Sequence, residues 1–209
     1  MKMAIVCNDA LKAAFQARGM GAGTEAVFTD RIEEIPADAT IVFDLLFENE
    51  APRVAALAQW LPRPVIVHSV TATLARIGQP FIRLNAWQGF LQHPILEIAA
   101  LPAQESAVQQ VFGQLGWKYR LVPDIAGLVS ARVIAMIINE AWFTYGDGIS
   151  TREEIDIAMK SGTNYPYGPF EWGERIGLQN ICGLLDTMRA ADSRYEIAPV
   201  LKATCAENK

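Results

Sequence analysis

The chain has 209 residues, 51% of them hydrophobic, and a formal net charge of −5 at pH 7. That much apolar mass supports a sizeable core and excludes a largely disordered chain. The acidic balance, with no Lys/Arg block, excludes the electrostatic footprint of a nucleic-acid or anionic-membrane binder, so the expected partner is a small molecule or a protein.

The first residues, Met1 to Cys7, turn polar at Asn8-Asp9 and are too short for a secretory apolar region. They read as a first strand, and a cytoplasmic location is expected. Short β-rich runs then alternate with helical patterns: strands at 4–7, 26–28, 40–43 and 65–67, helices at 10–18 and 52–60. The runs 81–84 and 95–98, a helical segment at 105–115 and a strand near 119–121 complete a first domain at 1–122. Such alternation predicts a parallel sheet with helices on its faces, an α/β domain.

From residue 123 to 209 the pattern is helical only, giving a second, all-α domain. Its first helix is expected from 125 to about 145 and is apolar around most of its circumference, the mark of a helix buried on several sides. Arg132, Asn139 and Glu140 interrupt its apolar run and argue against a membrane span. Ser150-Thr151-Arg152-Glu153 has the S-x-x-E form of a capping box and predicts a helix over 151–160. Gly162, Pro166, Gly168 and Pro169 then force a turn-rich loop, with further helices from about 170 and 179. The three cysteines, Cys7, Cys182 and Cys205, are scattered, with no C-x-x-C pair and no nearby histidine. Neither a disulfide framework nor a zinc or other metal site is expected.

A string of spaced residues in the second half resembles the C-terminal domain of the 3-hydroxyacyl-CoA dehydrogenases. It comprises Asp124-Ile125-Ala126-Gly127, Asn139-Glu140-Ala141, Glu154 to Lys160, Gly162, Tyr165 to Phe170 and Ile176-Gly177-Leu178. The resemblance implies a dimerisation domain, and hence a homodimer through the helical part. The first half resembles an abbreviated copy of the same family, in the segments Asp44 to Asn49, Val70 to Leu74 and Pro80 to Glu97, which implies an abbreviated Rossmann-like domain. Between Asp30 and Asp38 there is no room for the helical excursion by which family members help hold coenzyme A. An acyl-CoA-type or other small-molecule ligand is nevertheless the class the resemblance implies.

A dinucleotide loop needs glycine at the first turn so that the backbone can approach the pyrophosphate. Here Asn8-Asp9-Ala10-Leu11-Lys12 occupies it, without glycine and with a carboxylate at Asp9. No cofactor is therefore expected, with NAD bound only if the family activity is retained. Gly19-Met20-Gly21-Ala22-Gly23 follows a helix and precedes a strand, the wrong order for a phosphate cradle, and reads as a helix cap and turn. Asp30 stands where a carboxylate would take the ribose hydroxyls.

In the family a histidine accepts the hydroxyl proton while hydride leaves to NAD, and a glutamate orients it. The resemblance places Asn85 at the histidine position and Glu97 at the glutamate position. Ala72 and Ala131 stand where the family has a substrate-contacting serine and an asparagine. His93 lies four residues before Glu97, and in an extended strand both would share a face, making it the candidate for a relocated base. His68 is expected to end a strand. Trp87, Phe90 and Leu91 bring bulk into the segment that follows Asn85. Two readings stand. One is a family protein without hydride transfer, acting as a dimeric binding or accessory protein. The other is an active 3-hydroxyacyl-CoA dehydrogenase-like oxidoreductase of fatty-acid metabolism with rearranged groups.

Overall fold

A computed structural model describes residues 1–207. The chain divides into two compact units, Met1–Leu128 and Val129–Lys209.

The first unit is a seven-stranded sheet in the order β2-β1-β3-β4-β5-β6-β7. Its strands are β1 Lys2–Val6, β2 Glu25–Thr29, β3 Ile41–Asp44, β4 Val65–His68, β5 Ile82–Leu84, β6 Leu96–Ala99 and β7 Tyr119–Leu121. Helices α1 Asp9–Arg18, α2 Ala51–Ala58, α3 Leu74–Ile77 and α4 Glu105–Leu115 connect them. Successive residues of β1 enter different cores, Met3 and Ile5 with Phe15 and Phe112, Ala4 and Val6 with Leu57 and Leu74. A strand covered on both faces is written as a continuous apolar run, which is why Ala4-Ile5-Val6 shows no alternation.

The sheet departs from the expected parallel arrangement in one place, since β5 and β6 pair antiparallel. The connection over residues 85–95 holds only a single 3-10 turn, Phe90–Gln92. That is too little chain for a helical crossover, so the strand returns in the opposite sense. After β2 the excursion is likewise one 3-10 turn, Ile32–Glu34. The glycine-rich turn after α1 caps that helix through Gly19 at φ 81°. A Cβ on Gly21 would stand 1.8 Å from the Gln114 carbonyl oxygen, so this backbone packs against the end of α4.

The break between units falls after Leu128 rather than after residue 122. Its physical cause is a set of bonds that ties the intervening segment to the sheet. Asp124 accepts the Leu74 N–H at 2.8 and 3.0 Å, and the Gly127 N–H donates to the Val70 carbonyl at 2.8 Å.

The second unit holds α5 Ser130–Gly146, α6 Arg152–Thr163, α7 Pro169–Ile176, α8 Leu178–Ala191 and α9 Pro199–Glu207. The first of these starts five residues later than its apolar pattern suggests, because Gly127 and Leu128 take left-handed φ values of 84° and 50°. The capping box on α6 is also one residue along: Thr151, not Ser150, is the cap, and Glu154 reaches back to its N–H. Helix α9 has no counterpart in the sequence reading. It brings Cys205 against Cys182 of α8 as a disulfide, correcting the expectation that no cysteines pair. The 23-residue separation conceals a contact made by two helices packed side by side.

The motif residues of this unit build its joints. Asp156, 7% exposed, accepts the N–H groups of Phe170 and Glu171 at 2.8 and 3.2 Å and so caps α7. A Cβ at residue 168 would lie 2.2 Å from the Asp156 carboxylate, which explains Gly168. One turn beyond Asp156, Lys160 pairs with Glu171, whose carboxylate also takes the Gly168 N–H. Asn139 donates to the Glu196 carbonyl and accepts the Ala198 N–H, clamping the segment that enters α9.

Candidate active site

In an open α/β sheet, ligands bind outside the carboxyl ends of the parallel strands where the strand order reverses. In the first unit that point lies between β1 and β3, whose last residues, Val6 and Asp44, are register partners. The turn after β1 is closed by its own side chains. Asn8 Oδ1 accepts the Leu11 N–H at 3.0 Å, and the Cys7 N–H donates to the Thr29 carbonyl at 2.8 Å. A helix N-terminus binds an anion through free N–H groups, and here one of them already has an internal partner. Asp9 adds a carboxylate to the first helical turn. The Cys7 thiol is buried, and that burial pushes its pKa up to about 11.

Across the switch point Asp44 is fully buried and forms a two-pronged pair with Arg53, Nε and Nη2 each donating at 2.7 Å. Its Oδ1 also accepts the Leu46 N–H at 3.1 Å. Burial raises the pKa of this carboxyl, and the Arg53 guanidinium opposes the rise. Asp30 follows the end of β2 and is exposed; beside it Thr29 Oγ1 donates to Glu34 at 2.7 Å.

The positions matched by resemblance to the dyad lie beside the β5/β6 pair. Arg83 faces Ala99 and Leu84 faces Ile98. Asn85 follows β5 directly, and Glu97 lies within β6 beside Ile98. Asn85 is 4% exposed and its Oδ1 accepts the Trp87 N–H at 2.9 Å, while its Nδ2 is buried without a hydrogen-bond partner among the described residues. Glu97 is half-buried.

His93 does not share the strand with Glu97. It follows the 3-10 turn as an extended cap residue, whereas β6 starts at Leu96, so the alternation argument does not reach it. Its exposed ring stacks on Phe90 at 5.2 Å, and its carbonyl accepts from Arg18 at 2.6 Å. It lines a surface hollow of about 430 Å³ with Arg18, Trp117 and Lys118. Trp87, Phe90 and Leu91 are buried, with Trp87 and Phe90 edge to face at 6.0 Å. Ala72 is buried in the first unit and Ala131 in the second.

His68 ends β4 as expected, and its Nδ1 accepts the Ala86 N–H at 2.9 Å. Burial drives its pKa down to about 4, so the neutral imidazole is the resident form. Sequence reasoning missed Arg83, which is fully buried in β5. It donates to the carbonyls of Ser69 at 3.0 Å and Val70 at 3.1 Å and pairs with Asp124. Burial pulls its pKa down against the Asp124 contact, yet a guanidinium stays charged. Arg83 thereby sets the loop that follows β4, next to Asn85. The signal was present: a cation inside Phe81-Ile82-Arg83-Leu84 demands a buried partner.

Among the described residues no cluster of three or more His, Cys, Asp or Glu side chains is arranged to hold a metal ion. No helix there is long and apolar enough to cross a membrane.

Residues 127–209 match the family model of the 3-hydroxyacyl-CoA dehydrogenase C-terminal domain. The chain is 30% identical over 189 residues to the 3-hydroxyadipyl-CoA dehydrogenase of Escherichia coli (strain K12), covering 88% of this chain and 36% of that protein. It is 36% identical over 90 residues to the 3-hydroxybutyryl-CoA dehydrogenase of Clostridioides difficile, covering 42% of this chain and 32% of the relative. Among solved structures it is similar to the (S)-3-hydroxybutyryl-CoA dehydrogenase of Ralstonia eutropha, with a TM-score of 0.71, 23% identity and coverage of 88% of this chain and 70% of that one. The chain spans about a third of the length of the curated relatives it matches, 36% and 32% for the first two.

Proposed function

We propose that this chain, which belongs to the 3-hydroxyacyl-CoA dehydrogenase family, serves as a dimeric binding or accessory protein and does not carry out NAD-dependent hydride transfer. The observation that carries the reading is Asn85. By resemblance it stands at the position where the reaction needs a base, and a carboxamide takes no proton near neutral pH. The buried Asn85 Nδ2 is a donor suited to a carbonyl or hydroxyl acceptor, and it transfers no proton.

The residues of the first turn fit a dinucleotide poorly. No glycine lets the backbone approach a diphosphate, Asn8 occupies a helix-terminal N–H, and Asp9 repels the ligand's charge. No step is therefore assigned to NAD. Asp30 remains available to ribose hydroxyls, but a carboxylate alone does not seat a dinucleotide.

The relatives' names favour a second reading, an active dehydrogenase of acyl-CoA thioesters that uses His93 with Glu97. Against it, His93 lies outside β6 and its ring stacks on Phe90. Oxidation of 3-hydroxybutyryl-CoA with NAD separates the two. Absence of NADH formation by the wild type supports an accessory role; robust turnover that Glu97→Ala abolishes overturns it.

The proposed dimer uses exposed apolar side chains of the helical unit. Val129 and Val133 at the start of α5 are 46% and 53% exposed, and Ile149 and Ile157 are 71% and 60% exposed. Side chains of this kind in an acidic, otherwise polar surface call for a partner. Sedimentation of Val133→Glu tests this: the wild type should run as a dimer and the variant should shift toward monomer.

A further inference from the structure

We propose that the surface hollow between the end of α1 and the start of β7 is an anion site that takes the phosphate group of a small molecule, held by Arg18 and Lys118. The hollow lies within the first unit and measures about 430 Å³, room for a phosphate with a small organic part. Arg18 ends α1, roughly 14 Å along the helix from the turn after β1, so a ligand here does not use the dinucleotide position. The charge of the hollow sets it apart. The chain as a whole carries a formal net charge of −5, yet no acidic side chain lines the hollow, where Arg18 and Lys118 are both cationic. Neither pairs with a carboxylate among the described residues. By contrast, Arg53 and Arg83 of the same unit each meet an aspartate. Burial pulls the Arg18 pKa down with no carboxylate to oppose it.

The donor geometry points to an oxyanion. A guanidinium has five N–H groups in a fixed fork. Arg18 uses Nη1 on the Leu91 and His93 carbonyls, at 2.5 and 2.6 Å, and from Nη2 reaches the Pro94 carbonyl only at 3.5 Å. Its Nε–H is buried with no hydrogen-bond partner among the described residues, a cost that an acceptor would remove. The Nε–Nη2 edge is the one that Arg53 presents to Asp44, the fork that matches two oxygens of a carboxylate or phosphate. On Arg18 this edge is already oriented, because the Nη1 bonds fix the group and its central carbon stands 5.0 Å from the centre of the Trp117 ring. Lys118 is exposed, and its carbonyl accepts the Leu96 N–H at 3.0 Å, which fixes the backbone that carries it. The negative end of α1 is offset by Arg18 itself and by local bonds: Gln16 accepts the Gly19 N–H at 3.0 Å, and the Gly19 carbonyl takes the Trp117 Nε1–H at 2.8 Å. Two cations without a counter-charge match a phosphate monoester dianion better than a monocarboxylate. Gln92 and His93, exposed around the hollow, offer polar groups to the organic part.

Calorimetric titration of the full chain at constant ionic strength, with inorganic phosphate, glycerol 3-phosphate and acetate in turn, tests the site. Both phosphates should bind saturably and acetate should not; the tighter of the two phosphates tells whether the site takes the free ion or an organic phosphate. Lys118→Gln, at an exposed side chain outside the core, should weaken phosphate binding about tenfold through the loss of one charge-assisted contact. Arg18→Lys keeps the charge but loses the fork, and should weaken it by a similar factor. Arg31→Gln removes an exposed cation that does not line the hollow and should bind as the wild type does. In amide NMR spectra, inorganic phosphate should shift Gln92, His93 and Lys118. The site is refuted by the absence of saturable phosphate binding, by acetate binding as tightly as phosphate, by an unchanged affinity in Lys118→Gln, or by equal weakening in Arg31→Gln.

Discussion

The two units keep different parts of their inheritance. In the helical unit the spaced motif is intact, and its residues turn out to be joints: Asp156 caps α7, Gly168 gives that cap its room, and Asn139 fastens the segment before α9. In the sheet unit the frame survives around residues that differ from the family's motifs. Ion pairs, Arg83 with Asp124 and Asp44 with Arg53, hold the loops at the carboxyl edge, while the first turn caps itself. A motif can therefore persist because the backbone needs it, and the persistence of one domain's motif says little about chemistry in the other.

The sharpest way to break this comparison is to remove a joint from the sheet unit. Arg83→Met leaves the Ser69 and Val70 carbonyls and the Asp124 carboxylate without their cation. It should lower stability by about 3–5 kcal/mol in urea denaturation. A loss below 1 kcal/mol would mean that the loop after β4 does not depend on this hub.

His68 sharpens the comparison through pH. Its folded pKa, about 4, lies below its ordinary value of 6.5, so above pH 6.5 neither state is protonated and the residue costs nothing. As pH falls the unfolded chain takes the proton first. Stability should drop by up to about 3 kcal/mol between roughly pH 6.5 and 4 and change no further from this source below that. His68→Gln should flatten that window of the stability profile; an unchanged slope would place the pH dependence elsewhere.

In the helical unit Asp156→Ala removes the cap of α7 and should cost about 1–2 kcal/mol of thermal stability. Gly168→Ala should also destabilise, since the added methyl meets the Asp156 carboxylate. The smallest effect distinguishes the two hydroxyl residues before α6. Thr151→Ala should cost about 1 kcal/mol and Ser150→Ala less, because the Thr151 oxygen accepts the Glu154 N–H. The reverse order would restore the S-x-x-E box to Ser150.

Much of the sheet was legible in the sequence because strands covered on both faces are written as unbroken apolar runs, and the short third and fourth strands are of this kind. The matching of Asn85 and Glu97 to the dyad rests on resemblance alone, since the β5/β6 register ends at Leu84 and Ile98. What escaped was set by partners distant in the chain. Arg83 and Asp124 are 41 residues apart, so the strand sequence shows the need for a counterion but not its address. The reach of strand alternation to His93 failed because the chain between Asn85 and Leu96 is occupied by a 3-10 turn. The cap of α6 was ambiguous since Ser150 and Thr151 each have a glutamate three residues on, and the choice rests on which oxygen meets the free N–H. The Cys182–Cys205 pair depended on α9, a short helix whose stability comes from packing rather than from its own pattern.

The central claim is that the sheet unit retains the frame of a dinucleotide domain without its ligand. Titration of the full chain with NADH, followed by nicotinamide fluorescence and by calorimetry, tests it most directly. The account predicts no saturable binding up to millimolar NADH; saturable binding that Asp30→Ala weakens would contradict it.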